Sequence, residues 1–240
     1  LNIYNLVFEE YYMISLDTRL LACADFVSGK GIACDVGTDH AYLAVYLIES
    51  GKCSQVIASD INDGPLDFAR RTIEKHECYD KIKLVKSDGL KEIDGNGVTD
   101  VIIAGMGAET ICKIIDDAEW LKNGVNLVLQ PMTKAHNLRE WLYLNGFEII
   151  SEKAVLEYGF AYSVMSARYS GIRKKIDSFK TYTGELDFTD EQSKTYLALQ
   201  ARRLKLEGEA LLNASVDDAL AMEKIEIAKE IMDIIEGEKL

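Results

Sequence analysis

The feature that most constrains the fold is residues 32–42, with the sequence Ile-Ala-Cys-Asp-Val-Gly-Thr-Asp-His-Ala-Tyr. Small apolar residues followed by Asp35 and then Gly37 predict a buried parallel strand that ends in a tight turn. Gly37 lets the backbone turn sharply and approach a ligand without a Cβ in the way. A helix that begins near Ala41 would point its unpaired N–H groups into the same crevice. Because open α/β sheets bind ligands at the carboxyl ends of their strands, this stretch predicts a ligand site.

Two nucleotide-containing ligands compete for such a turn. A dinucleotide site needs the pattern G-x-G-x-x-G, so that a pyrophosphate can lie on the helix N-terminus, but Gly37 is followed by Asp39 and His40 and by no further glycine. Asp35 and Asp39 would repel a pyrophosphate and would suit a cationic ligand. S-adenosylmethionine carries a sulfonium and an ammonium and no phosphate, so it is favoured over NAD. The turn alone does not exclude an ordinary strand-turn-helix that binds no ligand.

Composition limits the class of protein. The chain has 240 residues, 48% of them apolar, and a net charge of −13, which fits one ordinary domain with an appendage. The acidic balance argues against broad non-specific nucleic-acid binding, although a local basic patch can still bind RNA. No apolar run is long enough to span a membrane. The odd number of cysteines, without a C-x-x-C pair, predicts reduced, mostly buried thiols in a cytoplasmic protein and no metal site: Cys23, Cys34, Cys53, Cys78 and Cys112.

Three segments are predicted. Residues 1–12 are expected to be a leader or an expression remnant, because Met13 and the residues after it resemble a natural start and the first twelve lack the features of a signal peptide. Residues 13–171 are expected to form the ligand-binding domain. Residues 172–240 are expected to form a helical hairpin arm, since apolar residues recur at helical spacing on both sides of a break at residues 213–215.

Within residues 13–171 the patterns predict a leading helix, five strand-helix units and an antiparallel hairpin. The strands are predicted at residues 32–36, 55–60, 81–86, 100–104 and 126–130, the last ended by Pro131, and the helices at 16–27, 41–50, 65–75, 108–121 and 134–144. Residues 147–155 and 160–168 alternate around Glu157-Tyr-Gly159, as in a hairpin. This order predicts the Rossmann-like sheet of class I methyltransferases, which differs from a plain dinucleotide fold by its antiparallel end.

Two further strand ends carry acidic residues. Asp60 is expected to end the second strand, where a carboxylate can accept hydrogen bonds from both ribose hydroxyls of an adenosine, and Ile61 is assigned to the same site. Asp88 and Gly89 follow the third strand, where an aspartate can bond an adenine amino group. The alternatives are an N-cap or turn aspartate at residue 60 and a simple turn at residue 88.

The fourth strand is predicted to lie across the switch point from the first, so its end would face the reacting methyl group. Gly105 and Gly107 would keep the wall of the site thin, and Met106 between them would line the methyl site. Arg19, on the leading helix, is expected to be a solvated arginine; the alternative is a contact to a ligand carboxylate.

The arm has two possible uses. Charged helix faces are usually only solvated, so a packing or dimerising appendage is favoured; the alternative is an arm that grips RNA. The sequence leaves the oligomeric state open, with a monomer preferred. An RNA surface could instead lie on the catalytic domain around Arg70, Arg71 and Lys75. The candidate RNA-binding residues of residues 172–240 are Arg173, Lys174, Lys175, Arg202, Arg203 and Lys205.

Together these stretches resemble the bacterial tRNA (adenine-22-N1)-methyltransferases. The resemblance rests on Asp35-Val-Gly-Thr-Asp-His-Ala-Tyr42, Ile103-Ala-Gly-Met-Gly107, Leu129-Gln-Pro-Met132, Leu138-Arg-Glu-Trp-Leu142 with Asn145-Gly-Phe147, and the Glu157 hairpin. It covers residues 13–171, and a helical C-terminal arm is also expected. The hairpin departs from the family pattern at Phe160, where a lysine would be expected after the glycine.

The resemblance implies a transferase that moves a methyl group from S-adenosylmethionine to N1 of a tRNA adenosine. Since N1 is paired in a duplex, the base must be exposed and held by stacking, for which Tyr42 is the candidate unless it is a core residue. Asp39 and His40 would orient the adenine or the methionine end. A methyltransferase of the same fold for a small molecule or a protein, or a non-catalytic S-adenosylmethionine-binding protein, would share these features.

Overall fold

The structure is a computed structural model that describes residues 13–237. The predicted leader, residues 1–12, lies outside the described residues. No helix among residues 13–237 is both long enough and apolar enough to cross a membrane.

The core of the fold is a seven-stranded sheet in the order β3-β2-β1-β4-β5-β7-β6. Strands β1 to β5 pair in parallel, and β7 runs antiparallel to both of its neighbours, β5 and β6. The predicted Rossmann-like sheet with an antiparallel end is therefore confirmed. The strands are β1 (Ile32–Val36), β2 (Val56–Asp60), β3 (Ile82–Lys86), β4 (Val98–Gly107), β5 (Asn126–Thr133), β6 (Phe147–Glu157) and β7 (Phe160–Tyr169).

Helices cover both faces of this sheet. On one face pack α1 (Thr18–Phe26), α2 (Tyr42–Glu49) and α3 (Asp63–Lys75), and on the other α4 (Ala108–Asp116) and α5 (Ala135–Leu144). Successive residues of a strand point to opposite faces, so the central strands, buried on both sides, are almost continuously apolar. This arrangement places the carboxyl ends of β1 and β4 side by side in the middle of one edge.

Three sequence-based boundaries were wrong. Strand β4 continues from the predicted end at residue 104 to Gly107, and β5 runs through Pro131 to Thr133. The β4–β5 register shifts around Met106, so the missing N–H of Pro131 falls where the ladder is already irregular. The helix predicted over residues 108–121 stops at Asp116 and a separate 3₁₀ helix follows at Glu119–Lys122.

The arm consists of α7 (Glu191–Ala214) and α8 (Asp218–Ile235), preceded by the short α6 (Ser178–Thr183), which the sequence analysis missed. Asp190 and Asp217 cap α7 and α8 through their side chains, which satisfies N–H groups that have no partner within the helix. The arm has its own apolar cluster, which includes Ala154 of β6, so it packs on the antiparallel end of the sheet. The division at residue 171 stays a prediction.

A buried ion pair joins the arm to the sheet. Arg139 of α5 and Glu152 of β6 lie 2.6 Å apart with almost no exposure. The guanidinium also donates to the carbonyl oxygens of Thr181 and Tyr182 and to the hydroxyl of Tyr196 on α7. Although burial opposes the charged form, Glu152 and Tyr196 hold the pKa of Arg139 above its usual value. One charged centre therefore ties α5, β6, α6 and α7 together.

Candidate functional site

A cavity of about 340 Å³ opens where β1 and β4 end and α1 begins. It combines carboxylates, a guanidinium, an imidazole and a phenol ring in one place. Asp35, Gly37, Asp39, His40 and Tyr42, all predicted from residues 32–42, contribute to it. The lining residues are Asp17, Arg19, Leu20, Asp35, Gly37, Thr38, Asp39, His40, Tyr42, Leu43, Ala104 and Gly105.

The turn after β1 is held in an unusual backbone conformation. Gly37, Asp39 and Ala41 all have positive φ angles, of 76°, 46° and 57°. The N–H groups of Gly37 and Thr38 both donate to the carbonyl oxygen of Ser59 on β2. A Cβ on Gly37 would lie 2.3 Å from Cε of Met106, so the glycine allows the turn and β4 to approach closely. Met106 therefore lies against the turn, and its place beside a methyl group stays a prediction.

Asp35 is the buried carboxylate of the site. Its side chain accepts a hydrogen bond from the Thr38 hydroxyl at 2.6 Å. Burial raises its pKa to about 6, although the bond from Thr38 lowers it in part. A cationic ligand would favour the ionised form of such a carboxylate. The position thus suits a positively charged group better than a phosphate.

Arg19 faces the cavity, and the expectation of a solvated arginine was wrong. Its guanidinium donates to the side-chain oxygen of Gln130 at 2.9 Å and to Asp17 at 3.2 Å. Glu157, at the end of β6, lies 3.7 Å from Nε. Since Asp17 caps α1 through the N–H of Leu20, the helix start and the hairpin both fix the arginine at the cavity wall.

Gln130 is a site residue that the sequence analysis did not single out. It is fully buried within β5, directly before Pro131, and its oxygen accepts from both Arg19 and the N–H of Gly105, each at 2.9 Å. Its amide nitrogen donates to the carbonyl oxygen of Pro131. The signal was a polar residue directly after the apolar run at residues 127–129, since a buried polar group needs partners.

Tyr42 lies on the rim of the cavity and is 45% exposed, so the alternative of a core tyrosine was wrong. Its ring stacks on His40 with centroids 5.2 Å apart. His40 also contacts Phe68 of α3 at 5.0 Å, and its Nε2 lies 3.6 Å from Asp39. Phe68 was not predicted from the sequence, because an aromatic residue in an amphipathic helix is more often a core residue than a surface residue.

Four predicted cofactor residues lie outside the lining of this cavity: Asp60 ends β2, Ile61 follows it, and Asp88 and Gly89 come after β3. Asp60 accepts a bond from the N–H of Asn62 at 2.8 Å, as in a local turn, through one carboxylate oxygen. Ile61 is largely exposed. Asp88 is paired with Lys91, which lowers the pKa of Asp88. These residues lie at the ends of β2 and β3, beside β1. That they contact a cofactor stays a prediction.

The two glycines near the end of β4 differ in backbone conformation. Gly105 has φ 79°, and a Cβ there would lie 3.7 Å from Nη1 of Arg19. Gly107 has φ −69° and caps α4, a conformation open to other residues. Only Gly105 therefore shows a conformational need for glycine.

The basic residues proposed to bind RNA are exposed, but only some of them form ion pairs with acidic side chains. Arg203 pairs with Glu207 at 2.8 Å and Lys174 lies 3.9 Å from Glu148. Lys205 is 4.0 Å from Glu209. Arg173, Lys175 and Arg202 have no ion pair within the part of the chain that the structure describes. Arg203 also lines a second cavity of about 110 Å³ between the end of β5, the hairpin and α7.

The thiols are poor nucleophiles. Burial raises the pKa of Cys23 to about 12 and those of Cys53 and Cys112 to about 11. Thiolates are the reactive form of cysteine, so the site is not built for covalent catalysis by a thiol. Among residues 13–237, no group of three or more histidine, cysteine, aspartate and glutamate side chains could hold a metal ion.

Several known proteins resemble this chain in sequence and in structure. The tRNA (adenine(22)-N(1))-methyltransferase of Bacillus subtilis (strain 168) is 35% identical over 155 residues, which are 64% of this chain and 65% of that protein. The matches span between 59% and 65% of the length of the curated relatives. The predicted resemblance to this family is confirmed.

Solved structures match over more of the chain. The B. subtilis M1A22 tRNA methyltransferase TrmK superposes with a TM-score of 0.76 at 28% identity, over 93% of this chain and 97% of that one. Sp1610 of Streptococcus pneumoniae, solved in complex with S-adenosyl-L-methionine, gives a TM-score of 0.79 at 28% identity, over 91% and 100%. The family model described as a methyltransferase domain matches residues 16–165. On this match over more than half of its length, the chain belongs to the methyltransferase domain family.

Proposed function

We propose that this protein transfers a methyl group from S-adenosylmethionine to N1 of an adenosine in tRNA, at position 22. The observation that carries the proposal is the cavity at the ends of β1 and β4, which joins Asp35 and Arg19 to the exposed rings of His40 and Tyr42. Charges of both signs inside suit a zwitterionic amino acid, and rings at the rim suit a base. The similarity to tRNA methyltransferases supports the acceptor.

The donor set of the cavity fits S-adenosylmethionine. Asp35 and Asp39 supply negative charge for its ammonium and sulfonium groups, and Arg19 supplies donors for its carboxylate. The turn has no second or third glycine for a pyrophosphate. When bound, the sulfonium would supply an electrophilic methyl group to a ring nitrogen with a free lone pair, with S-adenosylhomocysteine as the leaving group.

The residues of the chain act mainly by binding and orientation. Asp60 and Ile61 would hold the ribose side of the adenosine, and Asp88 and Gly89 the adenine. Gly37, Gly105 and Gly107 would let the backbone approach the ligand, and Met106 would border the methyl group. Asp39 and His40 would orient the acceptor, and Tyr42 would stack on it. Adenine N1 has a free lone pair, so positioning can supply much of the rate without a strong general base.

The tRNA is a polyanion, so it must bind a protein whose own net charge is negative. We infer that the arm residues Arg173, Lys174, Lys175, Arg202, Arg203 and Lys205 contribute phosphate contacts, since local cations can bind RNA despite a net charge of −13. The protein is proposed to act in the cytoplasm as a monomer.

The test is incubation of the protein with unmodified tRNA and labelled S-adenosylmethionine, followed by nuclease digestion and mapping of the methylated base. Label in 1-methyladenosine at position 22 is expected, and a tRNA with guanosine at that position is the matched control. Transfer to a protein or small molecule, or binding of S-adenosylmethionine without transfer, would contradict the proposal.

A further inference from the structure

Helix α3 presents an exposed stripe that begins at the rim of the cavity. Phe68, Arg71 and Lys75, here called the α3 stripe, are spaced i, i+3 and i+7, so they share one face of the helix. Phe68 is 49% exposed, and Arg71 and Lys75 are exposed as well. The guanidinium carbon of Arg71 lies 5.6 Å from the centroid of the Phe68 ring. The stripe therefore offers an aromatic ring followed by two cations.

The stripe is continuous with the candidate active site. His40 lies between Tyr42 and Phe68, with ring centroids 5.2 Å from the first and 5.0 Å from the second. His40 and Tyr42 both line the cavity. Three rings thus form one aromatic surface from the cavity to α3. Large exposed rings in a row favour a binding role over simple solvation.

The cations of the stripe are available for a partner. The neighbouring Arg70 is already paired with Asp67 at 2.6 Å. Within residues 13–237, neither Arg71 nor Lys75 has a carboxylate at ion-pair distance. In a chain with 40 acidic and 27 basic residues, two unpaired cations on the helix that leads away from the site favour an anionic partner.

We propose that the α3 stripe binds the unpaired nucleotides that flank the target adenosine, with a base stacked on Phe68 and phosphates beside Arg71 and Lys75. This inference rests on the proposed function. Proteins that read single-stranded RNA combine aromatic rings for the bases with cations for the backbone. The target N1 must be unpaired to react, so the strand must open at the target base, which gives a neighbouring base and its phosphates access to the stripe.

The position of α3 makes this surface distinct from the arm. Helix α3 connects β2 and β3 at one side of the sheet, and the arm packs on β6 and β7 at the other. The ends of β1 and β4 lie between them. RNA bound to the stripe would therefore enter the cavity from the side opposite the arm.

The test measures tRNA affinity at several salt concentrations with S-adenosylhomocysteine present, and S-adenosylhomocysteine affinity by calorimetry. Arg71→Gln should weaken tRNA binding and reduce the salt slope by about 0.7, the value for one phosphate contact of a single strand. Phe68→Ala should raise the tRNA Kd by about fivefold or more with the slope unchanged. Arg70→Gln, the matched control on the same helix, should change neither. All variants should keep the wild-type melting temperature and cofactor affinity.

The possible outcomes separate the two proposals. If the wild type methylates tRNA and Phe68→Ala and Arg71→Gln bind tRNA normally, the stripe is not an RNA surface and the proposed function stands. If Phe68→Ala loses cofactor affinity as much as tRNA affinity, Phe68 belongs to the cofactor site and the inference fails. If the wild type neither binds nor methylates tRNA, the proposed function itself is wrong.

Discussion

Two arginines, Arg139 and Arg19, show how one side chain serves two purposes in this protein. Every N–H of Arg139 is directed to a protein acceptor, with Glu152 as its main partner, and the side chain is 1% exposed. Arg19 is 18% exposed and donates one hydrogen bond to Gln130 and one to Asp17. A guanidinium has five donors, so Arg19 keeps donors for the cavity.

The number of donors left without a protein acceptor separates an arginine that holds the fold together from one that can bind a ligand. A fully satisfied, buried guanidinium such as Arg139 can only hold its neighbours together. A guanidinium such as Arg19, fixed at its back and open in front, can exchange solvent for a ligand without a change of position. Variants at Arg139 or its partners should therefore affect folding, and variants at Arg19 should affect ligand affinity.

The largest effect is expected at the Arg139 centre. Glu152→Ala would leave a buried guanidinium without its carboxylate, which costs about 3–5 kcal/mol of folding stability. Chemical denaturation would measure it. Glu119→Ala, which breaks the exposed pair with Lys122, is the control and should change the midpoint little. A small loss of folding stability in Glu152→Ala would mean that water reaches Arg139 and that it is no more enclosed than Arg19.

A second test concerns the carboxylate in the cavity. The pKa of Asp35 is raised to about 6 by burial, so the folded protein holds this proton more tightly than the unfolded chain. Stability should then fall as pH rises from about 4 to 6, by up to about 3 kcal/mol, since one pKa unit corresponds to about 1.4 kcal/mol. Asp35→Asn keeps an acceptor for Thr38 and should remove this slope.

Denaturation curves of both proteins across the pH range would show the effect as a difference that grows above pH 4 and levels off above pH 6. The Asp35→Asn protein should be the more stable one at pH 8 and should bind S-adenosylmethionine more weakly. Parallel pH profiles would mean that Asp35 titrates normally.

A third test asks whether the open donors of Arg19 meet a carboxylate. Arg19→Leu should weaken S-adenosylhomocysteine binding by about 1.5–3 kcal/mol, the range for a hydrogen bond to a charged group. The affinity for 5′-methylthioadenosine, which lacks the amino-acid carboxylate, should stay the same. An equal loss for both ligands, measured by calorimetry, would assign Arg19 to structure, like Arg139.

The smallest effect is expected at Gln130, which touches Arg19 and Gly105 but not the cavity. Gln130→Met removes the acceptor and should lower S-adenosylhomocysteine affinity by about 0.5–1.5 kcal/mol, the usual value of one hydrogen bond. Gln130→Glu keeps the acceptor but loses the donor to the Pro131 carbonyl oxygen, so it should restore the affinity only in part. If both variants bind normally, Arg19 is positioned by Asp17 and Glu157 alone.

The sequence was sufficient to predict the sheet and the turn after β1, because their signals are local. Apolar runs and glycines determine strand ends, and the acidic residues at those ends follow from the alternation of strands and helices. The end of β5 was misjudged at Pro131, because its irregular pairing with β4 depends on a register that no local pattern shows.

The network behind the cavity could not be predicted in this way. Arg19 and Gln130 are 111 residues apart, and Arg19 and Glu157 are 138 apart. Their contacts arise only once α1 packs across the ends of the sheet. Exposed aromatic residues such as Phe68 were missed for a related reason, since periodicity indicates which residues share a face but not whether another element covers it.

The position of α1 also has a consequence for folding during synthesis. This first helix packs on β6 and β7, the last strands to be made. Its arginine is held by Gln130 of β5 and Glu157 of β6. A nascent chain that stops before residue 157 has the turn after β1 but cannot close the wall of the cavity around it. Ligand binding is therefore expected to begin only after the hairpin has left the ribosome, so the ligand can stabilise the finished domain but not its early intermediates.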